Sequence, residues 1–255
     1  MRLGFIGTGK ISSSVIKGIC TSKISFSKII ISPRNKLIAN TLKKKFKKVI
    51  IAKDNQDVIN SSNWIFIGVT PDVGKKIIKN LKFKSNQTII SFISSIKLND
   101  LKKAIKVNAN IVRAAPLPPI ALKKGPVPIY PPNKKVKSFF DKIGSTIEIK
   151  NEKLSINFWS TSGMMASYYE MLRVMSDWLV KKGIKRQDAQ KYITSLFLAL
   201  SEDAVVNSKK DLKFLVKESQ TPKGLNEQGL KKMSKKGVYK SVIKTLNSIY
   251  KRLNN

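Results

Sequence analysis

The sequence predicts an α/β protein in which a doubly wound, mostly parallel sheet is followed by an all-α domain. Three observations support this prediction. Short apolar runs rich in isoleucine and valine alternate with helical patterns through about the first 150 residues. A glycine-rich turn follows the first of these runs, and after about residue 154 only long helical patterns remain. We therefore expect two domains, at residues 1–152 and 153–255.

The first domain contains eight candidate strands with the length and composition of buried strands. They lie at residues 3–7, 28–32, 49–52, 64–69, 88–92, 110–113, 127–130 and 146–149. Helical patterns fill gaps between them at residues 11–20, 35–46, 73–79 and 99–104. Prolines crowd residues 116–132, and proline cannot donate to a sheet ladder. That stretch predicts a stiff loop followed by edge-like strands.

The second domain is predicted to be helical throughout. Apolar residues recur at helical spacing over residues 165–179, with Gly183 as the expected C-cap, and again over residues 192–200 and 229–253. About 100 residues make a small independent core. We therefore expect this domain to pair subunits, with the methionines and aromatic residues of its first helix forming the dimer core.

The composition narrows the function. With one cysteine and no histidine, the chain can form no internal disulfide and is a poor zinc binder, so we expect no metal site and a reducing, cytoplasmic setting. No apolar run is long enough to span a membrane. The net charge of +35 is compatible with nucleic-acid binding or with a lysine-rich solvated surface. The second reading is favoured, because the cations are nearly all lysines spread from end to end.

The turn after the first strand predicts a site for a dinucleotide. Gly7 permits a tight turn, and Gly9 lets the backbone approach a pyrophosphate at the start of the next helix. Ser12 stands at the third position of this glycine fingerprint and is small enough for close packing. The cofactor loop is therefore predicted to comprise Gly7, Thr8, Gly9, Lys10, Ile11 and Ser12, in an NAD(P)-binding Rossmann domain.

The end of the second strand bears on the choice of cofactor. An NAD-specific fold commonly places a carboxylate there to hold the 2′-hydroxyl of the ribose. This chain instead has Ser32, Pro33, Arg34 and Asn35. Ser32 and Arg34 can hydrogen-bond to a 2′-phosphate and neutralise it, so NADP(H) is favoured over NAD(H). The alternative for Arg34 is an ordinary solvated loop arginine.

Six segments, taken in order along nearly the whole chain, resemble the pyrroline-5-carboxylate reductase family. They are Gly4–Ile11, Asp54–Asn55, Gly68–Pro71, Val112–Pro116, Ser160–Gly163 and Thr221–Asn226 followed by Gly229–Leu230. The resemblance implies that Asn55 lies near the cofactor ribose and that Val69, Thr70 and Pro71 flank the dinucleotide. Thr70 is equally suited to be a helix N-cap.

The resemblance also implies an activity. The family transfers a hydride from NAD(P)H to the cyclic imine of 1-pyrroline-5-carboxylate, giving proline, and works as a homodimer or larger oligomer. A protonated imine requires positioning more than a strong protein acid, which suits a chain without histidine. Ser162 is the candidate catalytic residue, donating its hydroxyl near the imine nitrogen, or else the N-cap of the long helix. Gly163, Lys223, Gly224 and Asn226 are the candidate substrate-binding residues.

The chain departs from the family pattern at the substrate side. Leu117-Pro118-Pro119 replaces asparagine-threonine-proline, and Met164 and Met165 replace proline and alanine. Lys223 replaces a glycine, while Leu225 and Asn226 replace paired threonines that hold the substrate carboxylate. Lys223 could supply an ammonium group to that carboxylate or be a surface lysine. Three alternatives thus stay open: reduction of a different imine or keto acid, a non-catalytic dinucleotide-binding regulatory protein, and a basic nucleic-acid-binding protein.

Overall fold

A computed structural model describes residues 1–254 of the chain. It divides into two compact units, Met1–Trp159 and Ser160–Asn255. The first unit is built on one eight-stranded sheet, and the second is helical. Within the described residues, no helix is both long enough and apolar enough to cross a membrane.

The strands of the sheet lie in the order β3-β2-β1-β4-β5-β6-β7-β8. Every neighbouring pair is parallel except β6 with β7. The order reverses at β1, whose neighbours are β2 and β4, and such a switch point is where open α/β sheets bind ligands. The strands are β1 Arg2–Ile6, β2 Lys28–Ile31, β3 Val49–Ile51, β4 Trp64–Ile67, β5 Thr88–Ser91, β6 Asn110–Ala114, β7 Pro126–Tyr130 and β8 Ser145–Glu148.

Helices connect the strands and then build the second unit. In the first unit they are α1 Lys10–Cys20, α2 Lys36–Lys45, α3 Asn55–Asn60, α4 Pro71–Ile77, α5 Leu98–Ile105 and α6 Lys134–Phe140. Short 3₁₀ helices occupy Ile78–Asn80, Pro118–Leu122 and Glu152–Leu154. Helix α7, Ser155–Ser162, contains the boundary between the units. The remaining helices are α8 Met165–Lys181, α9 Arg186–Val206, α10 Lys213–Glu218, α11 Leu225–Lys235 and α12 Val238–Asn254.

Apolar side chains cover the sheet on both faces. Successive residues of a strand point to opposite faces, and along β4 Phe66 belongs to one buried cluster while Ile65 and Ile67 belong to the other. Phe66 stacks on Phe5 of the neighbouring strand with ring centroids 4.5 Å apart. Burial on both faces explains why the parallel strands read as continuous apolar runs. The eight predicted strands are therefore confirmed, with ends that differ by a residue or two.

The prediction that edge-like strands follow the prolines is wrong for β7 and correct for β8. Strand β7 lies between β6 and β8 although it contains Pro126 and Pro128. Its pairing with β6 is short, and the carbonyl of Pro128 accepts a hydrogen bond from Ala115 N at 3.0 Å. Proline lacks only the donor, so its acceptor still joins the ladder.

The helical unit has a sparse core of its own. Among its described residues, Ala189 and Ile193 are the buried hydrophobic ones. Large apolar side chains are exposed along its helices, among them Tyr169, Trp178, Tyr192, Leu198, Val205, Tyr239 and Ile243. The expected C-cap is confirmed, since Gly183 follows the end of α8 with a φ of +94°. The helical pattern at 229–253 is divided into α11 and α12, which are separated at Gly237 with a φ of +72°.

Candidate dinucleotide-binding site

The turn between β1 and α1 needs glycine at residue 7. Gly7 has a φ of +93°, and a Cβ there would lie 2.5 Å from the carbonyl oxygen of Gly68 and 2.7 Å from Cγ1 of Val69. Its backbone N–H donates to Oγ of Ser32 at 2.9 Å. A side chain would thus collide with backbone that cannot move aside, so the tight turn predicted for Gly7 is present in the structure.

Gly9 serves a different purpose. It is the N-cap of α1 with extended backbone, and a Cβ built on it would meet no described atom within 4 Å. The glycine is not needed to avoid a collision within the protein. It keeps open the space above the first turn of an eleven-residue helix, whose N-terminus receives no side-chain cap from the described residues. Uncapped N–H groups beside an open backbone favour an anionic group such as a pyrophosphate.

Two hydroxyl groups in this turn are buried without a hydrogen-bond partner among the described residues. Thr8 is 3% exposed and Ser12 is fully buried, and neither Oγ1 of Thr8 nor Oγ of Ser12 is satisfied there. Ser12 faces the backbone of Gly68, where a Cβ would lie 2.1 Å from its Oγ. Buried polar groups without partners are costly, so the unsatisfied Thr8 hydroxyl supports the fit of this turn to a bound polar ligand.

The ends of β2, β3 and β4 reach the same edge of the sheet as the glycine turn. The register places Phe5 beside Ile31 and Ile6 beside Ile67, so the residues that follow these strands lie around the turn. After β2, Ser32 is buried and its hydroxyl faces Gly7, while Arg34 is exposed. The structure thus gives Ser32 a supporting role within the turn. Contact of Ser32 or Arg34 with a ribose remains a prediction.

The segments after β3 and β4 begin helices. Asp54 is the N-cap of α3 and accepts a hydrogen bond from Asp57 N at 2.8 Å, and Asn55 is the first residue of that helix. Thr70 is the N-cap residue of α4, with Pro71 at its first position, but the Thr70 side chain makes no capping hydrogen bond within the described chain. Thr70 as a residue is exposed. Val69 lies beside the turn, since its Cγ1 would be 2.7 Å from a Cβ on Gly7.

The candidate substrate residues belong to the helical unit. Ser162 is the last residue of α7, and the N-cap of α8 is Met164, so the alternative that Ser162 caps the long helix is wrong. Gly163 lies against Ile249, whose Cδ1 would be 3.0 Å from a Cβ on the glycine. Helix α7 ends at Ser162 and α8 begins at Met165, so Gly163 and Met164 separate the two helices.

The loop before α11 is ordered by its own hydrogen bonds. Lys223 has a φ of +61°, the region in which glycine is the usual residue, and its N–H donates to Oε2 of Glu227 at 2.7 Å. Nδ2 of Asn226 donates to the carbonyl of Ser219 at 2.8 Å. A Cβ on Gly224 would lie 2.2 Å from Oγ1 of Thr221. The Asn226 amide, which is predicted to face a substrate, is therefore engaged within the loop, and so is the backbone N–H of Lys223.

Sequence reasoning missed the partner of a buried arginine. Arg113 is 4% exposed, and its guanidinium forms an ion pair with Glu152 at 2.5 Å. Acidic residues are scarce in this chain, which has 15 of them and 50 basic residues. The presence of Glu152 near the predicted domain boundary is therefore a weak indication that it pairs with a cation. Nothing in the local sequence identifies which cation it is.

Known proteins resemble this chain in both of its parts. Residues 153–255 match the family model for pyrroline-5-carboxylate reductase dimerisation, and residues 2–95 match that for NADP oxidoreductase, coenzyme F420-dependent. Pyrroline-5-carboxylate reductase of Synechocystis is 24% identical over 99% of this chain and 97% of its own length. The chain resembles pyrroline-5-carboxylate reductases along nearly its whole length, and its second part carries their dimerisation domain. It is an oxidoreductase of the class that acts on a carbon–nitrogen double bond.

Solved structures of family members share the fold. Pyrroline-5-carboxylate reductase from Streptococcus pyogenes has a TM-score of 0.82 at 24% identity, covering 99% of this chain and 98% of that one. Pyrroline carboxylate reductase from Plasmodium falciparum, solved with NADP bound, has a TM-score of 0.84 at 20% identity and covers 99% and 97%. These likenesses confirm the predicted fold class, a Rossmann domain followed by a helical dimerisation domain.

Proposed function

We propose that this protein is an NADP(H)-dependent pyrroline-5-carboxylate reductase, which reduces the cyclic imine 1-pyrroline-5-carboxylate to L-proline. The observation that supports it most is the turn geometry of Gly7 and Gly9 within a chain whose second part matches the dimerisation domain of this family. The turn provides the anion site for a nicotinamide dinucleotide, and the family supplies the substrate class.

The preference for NADP(H) rests on the end of β2. Arg34 is exposed there, and no carboxylate occurs among residues 32–35. A guanidinium suits a 2′-phosphate, whereas an NAD-specific site commonly has a carboxylate at this point. The structure of the Plasmodium falciparum relative with NADP bound is in keeping with this preference.

The reaction needs few chemical groups from the protein. When bound, the cofactor supplies the hydride that adds to the imine carbon, and the nitrogen carries the proton that makes the imine electrophilic. The chain then has to hold the substrate in the reactive orientation and to prevent other orientations of it. In this proposal the Ser162 hydroxyl hydrogen-bonds at the imine nitrogen, and Gly163, Lys223, Gly224 and Asn226 line the substrate. A chain with no histidine can perform such a reaction.

We propose that the active form is a homodimer or larger homo-oligomer, and that its ligands are a small imine and no nucleic acid. The dimerisation domain match supports self-association. The exposed apolar residues of α8 and α9, such as Trp178 at 58% exposed, are the surface that a second copy would cover. A helical unit that buries so few of its own apolar residues gains its stability from that contact.

A second candidate function keeps the fold and cofactor but changes the substrate to another imine or a keto acid. The observation that favours it is the loop before α11. Its Lys223 N–H and Asn226 amide are already engaged with Glu227 and Ser219, so they are unavailable to a substrate carboxylate in this conformation. If the changed loop binds no substrate at all, the protein would bind a dinucleotide without catalysing a reaction.

The test is the oxidation of NADPH, followed by its absorbance, with freshly prepared 1-pyrroline-5-carboxylate and the purified protein. We expect turnover with NADPH and weaker turnover with NADH. Arg34→Asp should raise the KM for NADPH by about tenfold or more, since one ionic contact of this kind is worth about 1.5–3 kcal/mol. Arg2→Asp is the matched control, because Arg2 is exposed at the amino end of β1, the opposite edge of the sheet. NADPH binding without turnover would contradict the proposed reaction and direct the search to other imines and keto acids.

A further inference from the structure

The carboxylate of Glu227 is held between two hydrogen-bond donors near the start of helix α11. Its Oε2 accepts the backbone N–H of Lys223 at 2.7 Å, and its Oε1 accepts the ammonium group of Lys231 at 2.5 Å. The side chain of Glu227 is 25% exposed, whereas that of Lys231 is 73% exposed. All three residues belong to the helical unit, so the arrangement lies within one unit.

The turn that presents the Lys223 N–H is closed by a different hydrogen bond. The N–H of Gly224 donates to the carbonyl of Thr221 at 2.8 Å, with Pro222 and Lys223 as the two central residues. Proline at the second position and a positive φ at the third are features of a type II turn, and Lys223 has a φ of +61°. The N–H of the third residue takes no part in closing such a turn. It is therefore able to bind an acceptor from outside the turn, and here that acceptor is Glu227.

Glu227 also borders a cavity of about 400 Å³ beside this turn. The cavity is lined by residues of α10, of the turn and of α11, namely Lys217, Glu218, Gln220, Thr221, Pro222 and Glu227. The lining has two carboxylates and one lysine, although the chain as a whole has 15 acidic and 50 basic residues. This cavity is thus locally acidic in a strongly basic protein, and it is large enough for a small molecule.

The charge of Glu227 opposes the binding of a second carboxylate at this turn. The hydrogen bond from Lys231, followed by that from the Lys223 N–H, lowers the pKa of Glu227, so its carboxylate stays ionised at neutral pH. An incoming carboxylate finds the Lys223 N–H already engaged and is repelled by the like charge. It has to displace Glu227 in order to use that donor. A ligand without a carboxylate meets neither obstacle.

We propose that Glu227 is a specificity-determining residue of the loop before α11: by holding the Lys223 N–H, it weakens the binding of imines that carry a carboxylate relative to the same imines without one. This inference rests on the proposed function, in which Lys223, Gly224 and Asn226 line the substrate. Reduction of 1-pyrroline-5-carboxylate then takes place against the competition of Glu227. The unsubstituted imine 1-pyrroline has no carboxylate and is not subject to it.

The test compares the kcat/KM for 1-pyrroline-5-carboxylate with that for 1-pyrroline in the wild-type protein, Glu227→Ala and Glu227→Gln. Alanine removes both the charge and the acceptor, so the Lys223 N–H becomes free. Glutamine removes the charge but keeps an oxygen that can accept the N–H. The matched control is Glu218→Gln, which removes an equal charge from the lining of the same cavity.

We expect Glu227→Ala to raise the ratio of the two kcat/KM values by about tenfold or more, since a hydrogen bond to a charged group alters affinity by about that factor. The change should lie in the KM for 1-pyrroline-5-carboxylate, while the constants for 1-pyrroline stay within about twofold. Glu227→Gln should raise the ratio by about threefold, because it removes only the repulsion, and Glu218→Gln by less than about twofold.

A ratio that is unchanged or lower in both Glu227 variants would overturn the inference, because Glu227 would then only order the loop. An equal rise in Glu218→Gln would also overturn it, since the effect would belong to the general charge of the cavity. If Glu227→Ala fails to fold, Glu227→Gln is compared with Glu218→Gln, and equal ratios in those two variants would overturn the inference.

Binding of L-proline separates failure of this inference from failure of the proposed function, because it requires no turnover. In calorimetric titrations with NADP present, L-proline should bind more tightly to Glu227→Ala than to the wild-type protein, whereas pyrrolidine, which lacks the carboxylate, should not. If the wild-type protein does not reduce 1-pyrroline-5-carboxylate but L-proline binding responds in this way, the role of Glu227 is retained and the proposed reaction fails. If the wild-type protein is active but neither the kcat/KM ratio nor L-proline binding responds, the role of Glu227 is overturned and the proposed function is retained. If no protein shows turnover or binds L-proline, both are overturned.

Discussion

The hydroxyl of Ser12 occupies the space that a side chain on residue 68 would need. A Cβ on Gly68 would lie 2.1 Å from Oγ of Ser12 and 3.3 Å from the ring of Phe92. Ser12 stands where the glycine fingerprint commonly has its third glycine, and Gly68 opens the segment Gly68–Pro71 that follows β4. A larger residue on helix α1 is thus matched by a smaller one after β4, and α1 stays close to the sheet.

Gly68→Ala should destabilise the protein through this contact. Overpacking a buried site commonly costs about 1–3 kcal/mol, and we expect the free energy of unfolding in urea to fall by that amount. The double variant Ser12→Gly with Gly68→Ala should regain most of the loss, because the alanine methyl then takes the place of the hydroxyl. Equal destabilisation of the single and double variants would show that the two residues are not coupled.

Gly7→Ala and Gly9→Ala should separate folding of the turn from binding by the turn. Gly7 has a positive φ and no room for a methyl group, so Gly7→Ala should lower the free energy of unfolding by about 2 kcal/mol or more. A methyl group on Gly9 meets no described atom within 4 Å, so Gly9→Ala should leave that free energy within about 0.5 kcal/mol. It should still raise the Kd for NADPH, by about tenfold or more, as measured by fluorescence titration. Undiminished NADPH binding by Gly9→Ala would contradict the proposed pyrophosphate site.

Cys20 should react slowly with alkylating reagents. Burial raises the pKa of its thiol to about 11, from an ordinary 9.0, and the nearby Lys48 opposes the shift only in part. At pH 8 the thiolate fraction is then about 100-fold lower than for an ordinary cysteine, and only the thiolate is nucleophilic. Because the folded-state pKa is the higher one, the linked stability is present below pH 9 and is lost as the pH rises toward 11. Iodoacetamide labelling followed by mass spectrometry checks this, with urea-unfolded protein as the control; equal rates in both states would refute it.

Lys106→Gly should stabilise the chain although it removes a side chain. Lys106 ends helix α5 with a φ of +59°, a conformation that costs a non-glycine residue about 1–2 kcal/mol. Glycine relieves that strain but loses more conformational entropy on folding, which leaves a net gain of about 0.5–1 kcal/mol. The control is Lys102→Gly within the same helix, which should cost about 1 kcal/mol. The urea midpoints should move in opposite directions, and a lower midpoint for Lys106→Gly would disprove the assigned backbone conformation.

The features that were predicted correctly from the sequence depend on residues that are close together in the chain. The strands of the first unit follow from continuous apolar runs, and the tight turn follows from Gly7, whose positive φ admits little else. The dimerisation role of the second part follows from helices whose apolar residues exceed what one small unit can bury. Each of these sequence patterns lies within the structural element that it predicts.

The features that sequence missed depend on residues far apart in the chain. The hydrogen bond from Gly7 to Ser32 spans 25 residues, and the contact of Arg113 with Glu152 spans 39. Ser32 is predicted to contact a ribose because it follows β2, and its additional contact with Gly7 could not be read from local spacing. The prolines of β7 indicated an edge, yet the Pro128 carbonyl still accepts a hydrogen bond. Side-chain direction and tertiary pairing decide these cases, and neither is encoded in local spacing.

The most direct test of the proposed reaction is the transfer of deuterium to 1-pyrroline-5-carboxylate from NADPH that is labelled at the reactive position of its nicotinamide ring. Mass spectrometry of the product then reports where the hydride goes. We expect proline that carries a single deuterium on the carbon of the former imine bond, formed in step with the NADP produced. Proline that stays unlabelled, or no proline at all while the protein binds NADPH, would contradict it.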